Sequence, residues 1–178
     1  MKGTARRVFA GLCAVASLAL ASSSLPADLI NEGFDNFQTG VRPAGWTFTN
    51  CNSNTDVYTT TGYYGAASPA IRLDNTGDAI LTSSLTAPAT LSLWLRGSSI
   101  SASSNLVVEE FFSASWNPVT TIAAIPNSGT TYGAFTLNHD STQIRFTYNK
   151  SRGNLAFDDV LVTSAITPTP TAVVPTPT

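Results

Sequence analysis

Beyond its first two dozen residues this chain shows no helical period of useful length. It is a succession of short runs rich in Val, Ile, Leu, Thr, Tyr and Phe, each cut off by Gly, Pro, Asn or Ser. Breakers at such regular spacing exclude long helices and commit the chain to strands. Strands are expected near Leu29–Phe37, Trp46–Thr49, Ala70–Asp74, Ala79–Ser83, Ala89–Arg96, Leu106–Phe112, Val119–Ile125, Tyr132–Leu137, Gln143–Tyr148 and Leu155–Thr163. Evenly spaced short strands predict an all-β sandwich or barrel.

Two runs alternate cleanly, and successive strand residues point to opposite faces. In Ala89–Arg96, Leu91, Leu93 and Leu95 share one face, while Thr90, Ser92, Trp94 and Arg96 share the other. In Gln143–Tyr148, Ile144, Phe146 and Tyr148 oppose Gln143, Arg145 and Thr147. One dry face and one polar face bearing an aromatic is the pattern of a sandwich with a solvated, concave sheet. The run Val107-Val-Glu-Glu-Phe-Phe112 does not alternate, so the face of Glu109 depends on its register.

The last run, Asn154-Leu-Ala-Phe-Asp-Asp-Val-Leu-Val-Thr163, sets two carboxylates, Asp158 and Asp159, inside an apolar strand. One of them is expected to face the interior or its edge. A buried carboxylate is costly unless it is paired or bound to a metal. A second acidic cluster, Asn31-Glu-Gly-Phe-Asp35, lies at the other end of the domain. First and last strands of a sandwich often lie side by side, so the two clusters predict a hard-cation site that fastens the domain shut. Calcium takes six to eight oxygens from carboxylates, carbonyls and water. Glu32, Asp35, Asp74, Asp158, Asp159 and backbone carbonyls are the expected donors.

The ends are different material. Lys2, Arg6 and Arg7 precede an apolar run from Val8 to Leu20, followed by small residues. That order reads as a secretory signal over residues 1–27, with cleavage after Ala21 or Ala27. The run is too short for a spanning helix, so no membrane insertion is expected. From Thr167 to Thr178 the chain is rich in Thr and Pro, an extended linker or stalk. Residues 28–166 remain as one domain. Six of the nine Lys and Arg residues and all eleven Asp and Glu lie beyond the apolar run, a net charge of −5. The absence of a basic stripe excludes nucleic-acid binding through phosphates. Cys51 has no partner once the signal is removed, so the domain holds itself by core burial, a metal, or both.

In order along the chain, Asn31-Glu-Gly-Phe-Asp-Asn-Phe37, Pro43-Ala-Gly-Trp46, Tyr64-Gly-Ala-Ala-Ser-Pro-Ala-Ile-Arg-Leu73, Leu91-Ser-Leu-Trp-Leu95 and Leu155-Ala-Phe-Asp-Asp-Val-Leu-Val162 resemble secreted jelly-roll modules. The similar groups are MAM-like and cleaved-adhesin domains and several jelly-roll carbohydrate-binding modules. The resemblance implies one jelly-roll β-sandwich of two antiparallel sheets. It also implies a structural cation site, with Asp35 in the opening acidic position and Asp158 or Asp159 in the closing one. Such modules are appendages joined by Thr/Pro linkers to enzymes or surface anchors.

Sugar rings present C–H faces that stack on aromatic planes, and Arg and Glu fork onto hydroxyl pairs. Trp94 with Arg96, joined by Glu109 and Arg145, is therefore the expected ligand-binding set for a polysaccharide or cell-surface glycan. Trp116 and the pair Tyr63–Tyr64 lie in expected loops, and Trp46 is expected in the core. Catalysis is not expected. Glu109 and Glu110 face opposite ways and cannot flank one bond. His139, in a turn sequence, is the single histidine and has no second one with which to build a zinc site. The expectation is a monomeric, non-catalytic, extracellular or surface carbohydrate-binding or adhesion module, the N-terminal appendage of a larger protein. The alternative is a purely structural spacer stabilised by calcium.

Overall fold

A computed structural model describes residues 25–165. Most of the expected signal segment, and the Thr/Pro segment from residue 167, lie outside the described residues. In chain order the elements are β1 (Asp28–Glu32), a single 3-10 turn (Phe37–Thr39), β2 (Thr47–Thr49), β3 (Val57–Tyr58), β4 (Ala70–Leu73), β5 (Asp78–Leu81), β6 (Pro88–Ser98), β7 (Asn105–Phe112), β8 (Ser115–Ala123), β9 (Thr130–Thr136), β10 (Gln143–Asn149) and β11 (Asn154–Ser164). They form a jelly-roll β-sandwich. One antiparallel sheet runs β3-β4-β11-β6-β9, with β1 also paired to β11, and the other runs β2-β5-β10-β7-β8.

The alternation in the sequence sets which side chains meet between the sheets. Leu91, Leu93 and Leu95 of β6, Leu155 and Phe157 of β11, and Ile71 and Leu73 of β4 are fully buried from one side. Leu106 and Val108 of β7, Ile144, Phe146 and Tyr148 of β10, and Ile80 of β5 are fully buried from the other. Each such side chain stabilises the fold by about 1.5–3 kcal/mol relative to exposure. First and last strands do lie side by side: Ile30 pairs with Val162 and Glu32 with Val160.

Three local expectations change. The first strand stops at Glu32 and does not reach Phe37, because Phe34 turns the chain with φ of 56°. That turn drives Phe34 and Phe37 into the core, where Phe34 meets Trp46 edge-on at 5.4 Å and Phe157 at 5.8 Å. Trp46 packs against this core, as expected, but precedes β2. Val57–Tyr58 form a strand too short for any period to reveal.

Candidate binding face and acidic clasp

Along β7, Leu106, Val108 and Glu110 point inward, so Val107, Glu109 and Phe111 point outward. Register then fixes what stands beside them on the outer face of the five-stranded sheet. One cross-strand row is Thr47, Leu81, Arg145, Glu109 and Pro118. The row above it is Gln143, Phe111 and Trp116. The row below is Thr49, Ala79, Thr147, Val107 and Thr121. Five strands at roughly 4.8 Å spacing give a face about 19 Å across.

The side chains at its centre are organised. Arg145 donates from Nε and Nη2 to Glu109 Oε2, at 2.9 and 2.7 Å. Its guanidinium lies over the Trp116 ring, 4.3 Å from the centroid. Trp116 in turn contacts Phe111, with centroids 5.2 Å apart and planes tilted by 57°. Trp116 belongs to β8 and not to a loop. The turn Ser113–Ala114, with φ of 51° and 60°, folds β8 back so that Trp116 stands opposite Phe111. Pre-set hydrogen bonds to a charged group and a guanidinium stacked on an indole each add rigidity.

The structure separates the four residues expected to bind a ligand together. Glu109 and Arg145 lie on the five-stranded sheet, whereas Trp94 and Arg96 lie on β6 of the other sheet. Their outward faces are on opposite sides of the sandwich. Both sets alternate correctly, but alternation does not say which strands share a sheet. The outer face around Trp94 and Arg96 is also not open. Residues 59–69, between β3 and β4, lie across it as a strap. Arg96 donates from Nη1 to the Gly62 carbonyl, and its guanidinium sits 3.7 Å from the Tyr63 ring centroid. Tyr63 stacks in turn on Tyr58, centroids 4.9 Å apart. Trp94 packs so closely on Gly129 that a Cβ there would fall 2.1 Å from Cζ2 of the indole. Trp94 and Arg96 therefore hold loops: Arg96 the strap, and Trp94 the segment around Gly129.

The middle of the strap meets the acidic residues. Asp158 stands opposite Trp94, on the outer face, and is buried by the strap and not by the core. Gly65 N–H donates to its Oδ2 at 2.7 Å and Asp159 N–H to its Oδ1 at 2.9 Å. A bulge at Asp158–Leu161, with Asp159 at φ of 46°, lets the neighbouring carboxylate project beside it. Asp159 Oδ2 accepts the Ala66 N–H at 2.8 Å. A Cβ on Gly65 would lie 1.9 Å from that same oxygen, so a side chain there would displace the Asp159 carboxylate. Burial, then the Asp159 and Asp35 carboxylates, push the Asp158 carboxyl up to about 7, although the hydrogen bonds from Gly65 and Asp159 oppose the shift. No cationic side chain is among its hydrogen-bond partners.

Asp35 belongs to the same neighbourhood. Its Oδ1 and the Oδ1 of Asp159 lie 3.4 and 3.6 Å from the point a Cβ on Gly33 would occupy. Glu32 Oε1 accepts the Phe34 N–H at 2.7 Å, and burial raises its pKa. Glu32, Asp35, Asp158 and Asp159 thus gather where β1 meets β11, and their oxygens are the donors a hard cation prefers. Among the described residues no three acidic, histidine or cysteine side chains converge tightly enough to hold an ion as they stand. Asp74 does not belong to this group. It stands beside Arg72, whose Nε is 3.2 Å from Asp74 Oδ2, close enough for charge pairing though not aligned as a hydrogen bond. Arg72 also reaches Asp56 at 3.1 Å. The sequence carried that signal: Arg72 and Asp74 are two apart within the expected strand Ala70–Asp74, which puts them on one face.

The remaining polar groups have structural partners. Glu110 is buried and accepts the Asn138 N–H and the Ser141 hydroxyl, which ties down the turn between β9 and β10. His139 is exposed beside Asp140. Cys51 is buried, and burial pushes its thiol up to about 12, which keeps it protonated and inert.

No known family profile and no curated protein matches this sequence. Solved structures do match in fold. The K3 cleaved adhesin domain of Lys-gingipain from Porphyromonas gingivalis is 17% identical, with a TM-score of 0.56 over 78% of this chain and 100% of that one. The K1 cleaved adhesin domain of the same protein is 14% identical, with a TM-score of 0.58 over 76% of this chain and 98% of that one. A family two carbohydrate esterase from Cellvibrio japonicus is 10% identical, with a TM-score of 0.52 over 82% of this chain, which spans 36% of the esterase. The jelly-roll architecture and the likeness to cleaved-adhesin domains are as the sequence motifs imply.

Proposed function

We propose that this domain is a non-catalytic, extracellular carbohydrate-binding module whose site is the outer face of the five-stranded sheet. The observation that carries this reading is the Trp116–Arg145–Glu109 assembly. It sets an aromatic ring, a hydrogen-bond fork and a carboxylate side by side on an open sheet, beside the hydroxyls and amide of Thr47, Thr147 and Gln143. Glycan recognition needs that combination: apolar surface for the sugar face and fixed polar groups for the hydroxyls. A flat, partly wet contact supports micromolar or weaker affinity unless modules act in tandem. The acidic clasp completes the proposal. A calcium ion bridging Asp35 of the opening segment and Asp158 or Asp159 of β11 would supply the positive charge that buried Asp158 lacks. Glu32 and backbone carbonyls would be further donors.

The test is affinity electrophoresis of the protein through gels containing a broad panel of plant, algal and bacterial polysaccharides. Retardation by at least one polymer is expected, and Trp116→Ala should abolish it while the melting temperature and circular dichroism stay near wild type. If the wild-type protein runs unretarded in every polymer, the domain is a structural spacer and the glycan reading is wrong.

A further inference from the structure

We propose that Glu109 makes this face select uncharged glycans and reject those bearing carboxylates. The proposal rests on the glycan-binding reading above and specifies its substrate class.

Arg145 is the only cation in the three cross-strand rows of the face. The other described cations stand elsewhere. Arg72 pairs with Asp56 and Asp74, and Arg96 is held under the strap. Lys150 donates to the Asp74 carbonyl and to Asn154, Arg42 reaches the Cys51 carbonyl, and Arg152 is exposed in the turn between β10 and β11. Arg145 places two of its nitrogens on one oxygen of Glu109. The pair is half-buried, with 35% and 22% of the two side chains exposed, so water screens it only in part. Its charge is matched before any ligand arrives.

What the pair still offers is neutral chemistry. Glu109 Oε1 makes no hydrogen bond within the described structure, and Arg145 Nη1 makes none either. One acceptor and one donor fork remain, held beside an indole plane, and they suit vicinal hydroxyls. A uronate arriving there meets the Glu109 carboxylate and a domain with an acidic excess. An unpaired arginine on the same indole would instead attract it, since guanidinium forks match carboxylates. Selectivity of this kind comes from a repulsive group built into the site.

The experiment uses affinity electrophoresis with two sets of polymers. The neutral set is xyloglucan, galactomannan and mixed-linkage β-glucan, and the charged set is polygalacturonate and alginate. Wild-type protein should be retarded by at least one neutral polymer and by neither polyuronate. Glu109→Gln keeps an oxygen for Arg145 to bond but frees its charge. It should gain retardation in polyuronate of about fivefold in association constant, the upper end for one partly shielded charge contact. That gain should fade as sodium chloride rises, because salt screens exposed charges. Melting temperature reports that the variant is folded. Wild-type retardation in polyuronate equal to that in neutral polymer overturns the proposal. So does a folded Glu109→Gln protein with no gain. A wild-type protein silent on all neutral polymers overturns the glycan reading itself.

Discussion

Asp158 is the group whose titration should show in the stability of the whole domain. Folding carries its carboxyl from the ordinary aspartate value of 3.8 to about 7, chiefly by burial under the strap. A folded-state pKa above the unfolded one means that the native protein holds the proton more tightly. The stabilisation is therefore complete below about pH 4 and is lost as pH rises through 7. A shift of about three units corresponds to about 4 kcal/mol, of which about 3 kcal/mol is lost between pH 5 and pH 8. For a domain of this size that loss lowers the melting temperature by roughly 10 °C. Burial also raises Glu32 and Asp78, which adds to the same trend. The assay is differential scanning calorimetry at pH 5 and pH 8 with chelator present. Asp158→Asn should flatten the pH profile. Calcium at one hundred times its dissociation constant should return about 2.7 kcal/mol at pH 8 by binding only the folded form. A melting temperature equal at the two pH values in chelator, or a profile unchanged in Asp158→Asn, would refute the reasoning. Calcium without effect at pH 8, with no metal found by elemental analysis, would remove the ion from the account.

Other outcomes follow from the strap and from Trp94. Gly65→Ala forces a Cβ against Asp159 Oδ2 and should cost about 1–3 kcal/mol in urea unfolding; a variant as stable as wild type would show that the strap does not cross there. Trp94→Ala empties the contact with Gly129 and should lower stability by about 2–4 kcal/mol, with polysaccharide retardation unchanged where Trp116→Ala loses it. Retardation lost in Trp94→Ala at wild-type stability would move the binding face to the other sheet.

How far the sequence reached depends on the range of each interaction. Period-two alternation reports which side of its own strand a residue occupies, so the inward faces of Leu91–Leu95 and Ile144–Tyr148 were legible. Pairing across the chain is not periodic. Nothing in Ala89–Arg96 or Gln143–Tyr148 says that β6 joins β11 and β9 while β10 joins β5 and β7. Trp94 and Arg145 therefore looked like neighbours and are not. The 59–69 strap was hidden for a related reason: a Gly-rich and Tyr-rich loop carries no period, and what it covers is set by partners about ninety residues away. The burial of Asp158 was legible because a carboxylate in an apolar strand demands an explanation whatever the topology. Trp116 was visible as an exposed-type aromatic, but its place on β8 depends on two residues, Ser113 and Ala114, that turn with positive φ and are not typical hairpin residues.

The central claim is that ligand meets the outer face of the five-stranded sheet, and the three tryptophans make it directly measurable. Each contributes one indole N–H resonance to a ¹H–¹⁵N spectrum. Trp46 reports the core edge, Trp94 the strapped face and Trp116 the candidate site. Titration with an oligosaccharide from a polymer that retards the protein should shift the Trp116 resonance progressively while those of Trp46 and Trp94 stay in place. Movement of Trp94 with Trp116 stationary would contradict the account.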